Sequence, residues 1–252
     1  MKINTDINIL GGLPDFNLIN VFLEEDSPEV NGPVHHYEYT AIKTHKSVKR
    51  FERAITETVL GFKNSEVETL VRGILGKESI SSDSLLILFW NTSFNNELLQ
   101  YLNDNVYFPA FYTGRMSIKH DEVAACIKEL KQSEKDIQNW TDYTIEKVAS
   151  KYLTLLKKFN LMEGTQNKII VHPYLSDKMI LLFTYWLLAI EPRPNILESQ
   201  WLKYCFSEKP IFIERIMHKK FTKFIHLNYT GDNLKVDLVV SYQNIYDAIT
   251  QS

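Results

Sequence analysis

Apolar residues recur at helical spacing over much of the chain. Between Val48 and Phe62 they lie three or four residues apart, which predicts one stripe of an amphipathic helix that starts near Thr44. Nearly continuous apolar runs at 82–90 and 179–190 predict buried helices. Weaker helical patterns cover 16–23, 66–75, the start of 98–111, 212–224 and 242–249. The hydrophobic pattern therefore predicts a mainly α protein.

One segment in the second half of the chain combines two helices, a turn and a short strand. The first helix follows Ser117, and the second begins with Thr141 as its N-cap or, alternatively, at Thr144. A β-branched run at 168–171 follows the turn and predicts a strand. The second helix has a buried face formed by Ile145, Val148, Tyr152, Leu155 and Phe159.

Helix, turn, helix and short strands are typical of a winged-helix fold, here over about 117–173. In that fold the second helix enters the major groove of DNA and the hairpin approaches the backbone. The side chains that would contact DNA are Lys147, Lys151, Lys158, Thr144 and Lys168. An ordinary solvated face of an amphipathic helix explains the same lysines, and the spacing alone does not choose between the two interpretations.

Two further basic faces accompany predicted helices. The first, at 43–53, contributes the candidate DNA contacts Lys46, Lys49, Arg50 and Arg53. The second, at 215–223, contributes Arg215, Lys219, Lys220 and Lys223. A β-hairpin around Thr230–Asn233 follows it. Since the whole chain carries a net charge of −3, this local concentration of basic residues favours an anionic partner.

The helical pattern breaks at Pro109–Gly114, which suggests a domain boundary near residue 110. We therefore predict two helical domains, 1–110 and 111–252. The second contains the winged-helix-like segment at about 117–173 and the basic helix with its hairpin at about 211–240. The predicted fold class is mainly α, with a winged-helix-like helix-turn-helix and short β-hairpins in the second domain.

The sequence lacks the motifs of the common enzyme classes. Neither GxxxxGK[ST], GxGxxG nor GxSxG occurs. His35 and His36 with Glu38 are more simply surface residues than metal ligands, because a metal site needs three or four convergent ligands. The acidic and lysine pattern Asp232, Lys235 and Asp237 resembles a nuclease constellation only faintly. We expect no enzymatic activity, no cofactor, no metal and no small-molecule substrate.

The remaining features concern the cellular compartment. The N-terminus lacks the basic and apolar regions of a secretory signal, and no apolar run reaches the roughly 20 residues that span a bilayer. Cys126 and Cys205 lack partners at metal-binding or redox spacing, so both are expected to be reduced core residues. These features predict a soluble cytoplasmic protein without membrane contact.

The run Val148–Gly164 resembles the BrxA family of BREX phage-exclusion systems. The Leu10–Leu13 turn, the aromatic-rich region 85–111 and the strand ending in His172–Pro173 resemble that family too, so the likeness extends over about 9–190. The resemblance implies a helical, non-enzymatic DNA-binding protein that acts beside a methyltransferase, a large ATPase and other BREX subunits. It transfers no catalytic residue to this chain.

Our first functional hypothesis is binding of double-stranded DNA, mainly through phosphates, in anti-phage defence. Weak sequence specificity is expected because no arginine lies between Met116 and Arg193, and arginine is the usual reader of guanine. A second hypothesis is a structural adaptor that docks other defence subunits through aromatic surfaces, since the chain has 13 Tyr and 14 Phe. A third is a winged-helix transcriptional regulator, which requires site-specific binding.

Overall fold

A computed structural model describes residues 3–13, 19, 45–75, 80–165 and 167–251. The described part is mainly helical with two short antiparallel hairpins, as the sequence predicts. It forms two compact units, the first drawn from 1–61 and 79–172 and the second from 62–78 and 173–252. Residue 110 lies inside the first unit, and a division into two independent domains at that point stays a prediction.

The helices have the following bounds. In chain order they are α1 (Asp6–Leu10), α2 (His45–Ala54), α3 (Ser65–Leu75), α4 (Ser82–Asn95), α5 (Glu97–Leu102), α6 (Phe108–Tyr112), α7 (His120–Ser133), α8 (Asp142–Lys158), α9 (Asp177–Ile190), α10 (Lys209–Ile216) and α11 (Ile245–Thr250). Two π-helical segments, Ile55–Val59 and Asn103–Tyr107, extend α2 and α5, and 3₁₀ turns lie at Lys135–Ile137, Ile196–Glu198, Gln200–Cys205 and Lys219–Phe221.

The core of the first unit is built on α8. One side of α8 packs against α7 and another against α1. The Phe89 and Phe159 rings lie 5.5 Å apart between centroids, and the buried Tyr152 hydroxyl donates to Asn103 Oδ1 at 3.0 Å. The predicted helices that lie in the described part of this unit are present, and their buried apolar residues form its core. The predicted helix at 16–23 lies, apart from Ile19, outside the described residues.

The helix ends within the predicted Pro109–Gly114 stretch, but it ends after Tyr112 and not at Pro109. The chain stays helical to Tyr112, with Pro109 in the first turn of α6. The π-helical segment Asn103–Tyr107 precedes it and restarts the hydrogen-bond register. A proline in the first turn of a helix needs no N–H partner, so it fits here without breaking the helix.

A small antiparallel sheet follows α8. Strand β1 (Met162–Glu163) pairs with β2 (Ile169–Ile170), and Ser117 forms a bridge to Ile169 on the other side. The backbone N–H of Ile170 donates to the Met116 carbonyl at 2.9 Å, which fixes this pairing. The segment before α7 is thus joined to the hairpin after α8, and Ser117 is part of the sheet.

The second unit is built around α9, which packs against α3 and α10. Strands β3 (Ile225–Tyr229) and β4 (Leu234–Leu238) form the predicted hairpin, with Gly231 at a φ of 74° in its turn. The Asn195 side chain is buried and holds this turn, since it donates to the Asp232 carbonyl at 3.0 Å and accepts from the Leu234 N–H at 3.0 Å.

The predicted single helix at 212–224 is divided into two parts. Helix α10 ends at Ile216, and a 3₁₀ turn, Lys219–Phe221, follows with His218 as its cap. The apolar residues Phe212, Ile216, Phe221 and Phe224 are nevertheless buried. Arg215 in the last turn of α10 and Lys220 in the 3₁₀ turn lie on either side of this break.

None of the described helices combines the length and the apolar character that a bilayer crossing requires. The strongly apolar α9 has 14 residues, and all but three of its side chains are buried within the protein.

Candidate nucleic-acid interface

Helix α8 presents one polar stripe to solvent. Its members lie three or four residues apart, and we name them the outer stripe: Tyr143, Lys147, Ser150, Thr154 and Lys157. Thr154 is half-buried and the others are exposed, with Tyr143 at 77%. The opposite side of the helix carries the buried residues of the core. Hydroxyl and ammonium groups of this kind can donate to phosphate oxygens.

The start and end of α8 are fixed by local interactions. The Thr141 hydroxyl accepts from the Thr144 N–H at 3.2 Å, which confirms Thr141 as the N-cap. The two hydroxyl oxygens are 3.0 Å apart, so the Thr144 side chain takes part in the cap. Asn160 follows the helix with a φ of 57° and turns the chain toward β1. These interactions set the orientation of the outer stripe.

Two lysines converge on the turn that joins β1 to β2. Lys157 Nζ donates to the Gly164 carbonyl at 3.1 Å, and Lys168 Nζ lies 3.4 Å from the same oxygen. Burial, with the charge of Lys157 as a second cause, lowers the pKa of Lys168. Gly164 has a φ of 84°, a conformation that favours glycine. The turn therefore holds two ammonium groups close together at the end of the outer stripe.

A cleft of about 500 Å³ adjoins this turn. It lies between the start of α7, the middle of α8 and the β1–β2 turn, and Lys119, Ser150, Asn167 and Lys168 are among its lining residues. Lys119 is exposed and Lys168 is half-buried. Sequence reasoning selected Lys168 but missed Lys119 and Lys157, because their placement depends on the fold of the hairpin.

Two of the predicted α8 contacts lie on another side of the helix. Lys158 Nζ donates to the Leu13 carbonyl, and Lys151 is half-buried where α1 packs against α8. A Cβ at Gly11 would lie 2.5 Å from the Lys151 carbonyl oxygen, which shows how closely the two backbones approach. Lys151 and Lys158 therefore border the contact with α1, whereas Lys147 faces solvent.

The basic face predicted for α2 is described only in part. Lys49 and Arg50 are exposed. Arg53 forms an ion pair with Glu57, with Nε 2.9 Å from Oε1 and 3.0 Å from Oε2. The Lys46 side chain lies outside the described residues. The α2 face thus offers Lys49 and Arg50 to a partner, while Arg53 already has an acidic neighbour.

In the second unit, Asp177 engages two of the four predicted contacts. Arg215 Nη2 lies 3.2 Å from Asp177 Oδ1 and also donates to the Leu175 carbonyl at 2.6 Å, and Lys220 Nζ binds Asp177 Oδ2. Hydrogen bonds from Lys220 and Arg215 lower the pKa of Asp177. Lys219 and Lys223 are exposed. Arg215 and Lys220 therefore already have an acidic partner.

Of the two weaker chemical patterns in the sequence, the structure describes the acidic and lysine pattern of the β3–β4 hairpin but not the histidine pair. Lys235 Nζ lies 3.1 Å from Asp237 Oδ1 on the same exposed face of β4, and Asp232 lies in the hairpin turn. An ion pair along one strand is an ordinary surface feature. His35, His36 and Glu38 lie outside the described residues.

Comparison with known proteins gives one result. A protein-family model described as BrxA matches residues 27–184, which is more than half of the chain. The match covers α2 to α8, the small sheet and part of α9. No curated protein and no solved structure matches the chain.

Proposed function

The chain belongs to the BrxA family of BREX phage-exclusion components, and we propose that it binds double-stranded DNA through backbone phosphates. It does so without enzymatic chemistry and alongside the methyltransferase, the ATPase and other subunits of the system. The observation that carries the proposal is the convergence of Lys157 and Lys168 beside the exposed outer stripe.

The order of elements supports a winged-helix interpretation of this region. A bridge at Ser117, helices α7 and α8, and the β1–β2 hairpin follow one another, and Ser117 pairs with Ile169 of the hairpin. In a winged-helix protein the second helix of such a pair lies in the major groove and the hairpin contacts the adjacent backbone. The outer stripe and the β1–β2 turn would correspond to these two positions.

The charge arrangement supports an anionic ligand at the same place. The ammonium groups of Lys157 and Lys168 share one carbonyl oxygen, and the second is partly desolvated. A phosphate bound there would relieve their mutual repulsion and accept hydrogen bonds from both. Lys119 and Lys147 would extend this contact along the duplex. Lys151 and Lys158 serve instead to border the α1 contact, so the proposed surface differs from the one that sequence periodicity selects.

The composition of the surface favours non-specific binding over a regulator's site-specific readout. The outer stripe has no Arg, Asn or Gln, which are the residues that make bidentate contacts with guanine and adenine. The adaptor alternative rests on the number of aromatic residues, and many of those described are in the core. The largest fully buried side chains are mainly aromatic, among them Trp90, Trp186, Tyr107, Tyr152, Tyr185, Tyr204, Phe89 and Phe108.

Fluorescence anisotropy with a labelled duplex tests the proposal. The double variant Lys157→Glu/Lys168→Glu is expected to bind at least about tenfold more weakly than the unaltered protein at moderate salt, because each change replaces a phosphate contact by repulsion. Circular dichroism checks that the variant stays folded.

The matched control is Lys209→Glu/Lys235→Glu. It changes the net charge by the same amount at exposed lysines of the second unit that lie outside every predicted DNA contact. Its affinity should fall less than about threefold. Equal losses in both double variants would mean that only total charge matters, and full affinity in the first would remove this surface from the proposal.

A further inference from the structure

Three potential metal ligands converge where α7 begins beside α8. His120 Nδ1 lies 3.5 Å from Asp121 Oδ1 and 3.2 Å from Glu146 Oε2. The three ligand atoms all lie within 4.8 Å of one another. Asp121 adjoins His120 in the first turn of α7, and Glu146 lies in the second turn of α8, so two separate helices build the cluster.

The hydrogen bonds of His120 determine which ring nitrogen is available. Nε2 lies 2.9 Å from the Glu146 backbone carbonyl, which can only accept, so Nε2 carries the hydrogen. In a neutral imidazole this leaves the Nδ1 lone pair directed at two carboxylate oxygens. Such an arrangement is repulsive until a cation lies between them. The cation is either a proton on Nδ1 or a metal ion.

The geometry suits a metal ion. Ligands bound at 2.0–2.2 Å lie about 3.4 Å apart around a tetrahedral ion and about 3.0 Å apart around an octahedral one. The two distances from Nδ1, 3.2 and 3.5 Å, lie within about 0.2 Å of these values. Metal-binding histidines also commonly donate their other N–H to a backbone carbonyl, as Nε2 does here.

The neighbouring charges leave the required oxygens available. Lys128 Nζ lies 3.7 Å from Glu146 Oε1 and 3.7 Å from Asp142 Oδ1, whereas the other Glu146 oxygen faces His120. The Asp121 side chain is 98% exposed and the His120 and Glu146 side chains are partly exposed. Solvent can therefore reach the site and supply further ligands.

We propose that His120, Asp121 and Glu146 bind one divalent first-row transition-metal ion, with water completing its coordination. Nitrogen with two carboxylates favours ions such as Zn²⁺ or Co²⁺ over Mg²⁺ and Ca²⁺, which prefer oxygen alone. Because Asp121 must lose its mobility on binding, the affinity is expected in the micromolar range. The site borders the cleft that Lys119 and Lys168 also line, but metal binding there does not depend on the proposed phosphate contacts.

Isothermal titration calorimetry with Zn²⁺, Co²⁺ and Mg²⁺ tests the site on the full chain without DNA. We expect one Zn²⁺ or Co²⁺ per chain and no heat of binding with Mg²⁺ at the same concentrations. Glu146→Gln and His120→Ala should each weaken Zn²⁺ binding at least about tenfold. Glu146→Gln keeps the shape of the side chain, and circular dichroism checks that both variants are folded.

Two control variants identify the ligands. His226→Gln removes an exposed histidine from β3 and should leave Zn²⁺ binding unchanged. His35→Gln/His36→Gln removes the histidine pair that the sequence places near Glu38, and it should also leave binding unchanged. Absence of binding to the unaltered protein, full binding by His120→Ala, or loss of binding in the His35 and His36 variant would each overturn the proposal.

Discussion

At the scale of single residues, Asp177 connects three parts of the second unit. It occupies the first turn of α9 after the N-cap Ser176, and its carboxylate binds Arg215 at the end of α10 and Lys220 in the following 3₁₀ turn. The hydrogen bonds of both partners, together with their charges, hold its pKa below the ordinary value. One carboxylate thus links the start of α9 to the end of α10 and to the following 3₁₀ turn.

Asp177→Asn is expected to lower the free energy of unfolding by about 1 kcal/mol at pH 7, a value kept small because the carboxylate is partly solvated. The pKa of Asp177 is lowered in the folded state. Its carboxylate therefore contributes fully to the free energy of unfolding above the ordinary pKa of about 4, and this contribution is lost as the pH falls through the pKa of the folded state. Urea unfolding at pH 7 and near pH 3 measures the difference in the free energy of unfolding between Asp177→Asn and the unaltered protein, and this difference should be smaller at the lower pH.

Asp142→Asn provides a matched control for this change. Asp142 also occupies the first position of a helix after a side-chain cap, but its nearest described cation is Lys128 at 3.7 Å, and its side chain is 82% exposed. Both substitutions therefore remove a similar interaction with the helix dipole. A loss in Asp142→Asn as large as that in Asp177→Asn would show that the dipole, and not Arg215 and Lys220, explains the effect.

The lysines of α8 show what helical periodicity predicts for single side chains and what it does not. The sequence places Lys147, Lys151 and Lys158 on the polar side of a helix, whereas only Lys147 of the three is exposed. It does not reveal that α1 covers part of that side and engages Lys158. Such contacts depend on segments distant in sequence, and a helical pattern contains no information about them.

At the scale of elements, the approach of α1 to α8 depends on Gly11. This residue has an ordinary helical φ of −65°, so backbone freedom does not explain the glycine. The explanation is space, because a Cβ would lie 2.5 Å from the Lys151 carbonyl oxygen. The Leu10–Leu13 turn therefore allows α1 to lie against α8, where Lys158 binds the Leu13 carbonyl.

Gly11→Ala is expected to lower the free energy of unfolding by about 1–3 kcal/mol, because the backbones must separate to admit the methyl group. Thermal or urea unfolding measures the loss. The control is Gly73→Ala in α3, where the added Cβ would meet Tyr246 Cβ at an ordinary 3.8 Å. That substitution should stabilise the protein by about 0.5–1 kcal/mol through helix propensity. Destabilisation of equal size in both variants would refute the packing argument.

Elements with clear local signals were predictable from the sequence. The Thr141 cap, the apolar stripe of α8, the β3–β4 hairpin and the apolar run of α9 have such signals, and the structure contains all four. Helix α1 has only five residues, too few to show a period, and was not predicted. The helix continues past Pro109 to Tyr112, and the sequence does not reveal this because the π-helical segment before Pro109 has no local signal. The His120 cluster was missed because Glu146 reaches it only through the packing of α8 on α7.

At the scale of the whole molecule, charge placement matters more than total charge. The chain carries −3 overall, so non-specific attraction to DNA cannot come from its net charge. The proposed phosphate contacts are four lysines on one side of the first unit: Lys119, Lys147, Lys157 and Lys168. Acidic residues lie beside them, among them Glu146 in the His120 cluster, and limit the reach of the basic surface.

This arrangement predicts the salt dependence of DNA binding. Each neutralised phosphate contributes about −0.9 to the slope of log affinity against log salt, so four contacts give a slope of about −3 to −4. Lys157→Gln/Lys168→Gln should reduce the magnitude by about 2, while duplexes of unrelated sequence should bind within about threefold of one another. Anisotropy titrations at several salt concentrations measure both quantities. An unchanged slope in the variant would place the phosphates elsewhere, and a strong preference for one duplex would favour a sequence-specific regulator, because lysine-led backbone contacts carry no sequence information.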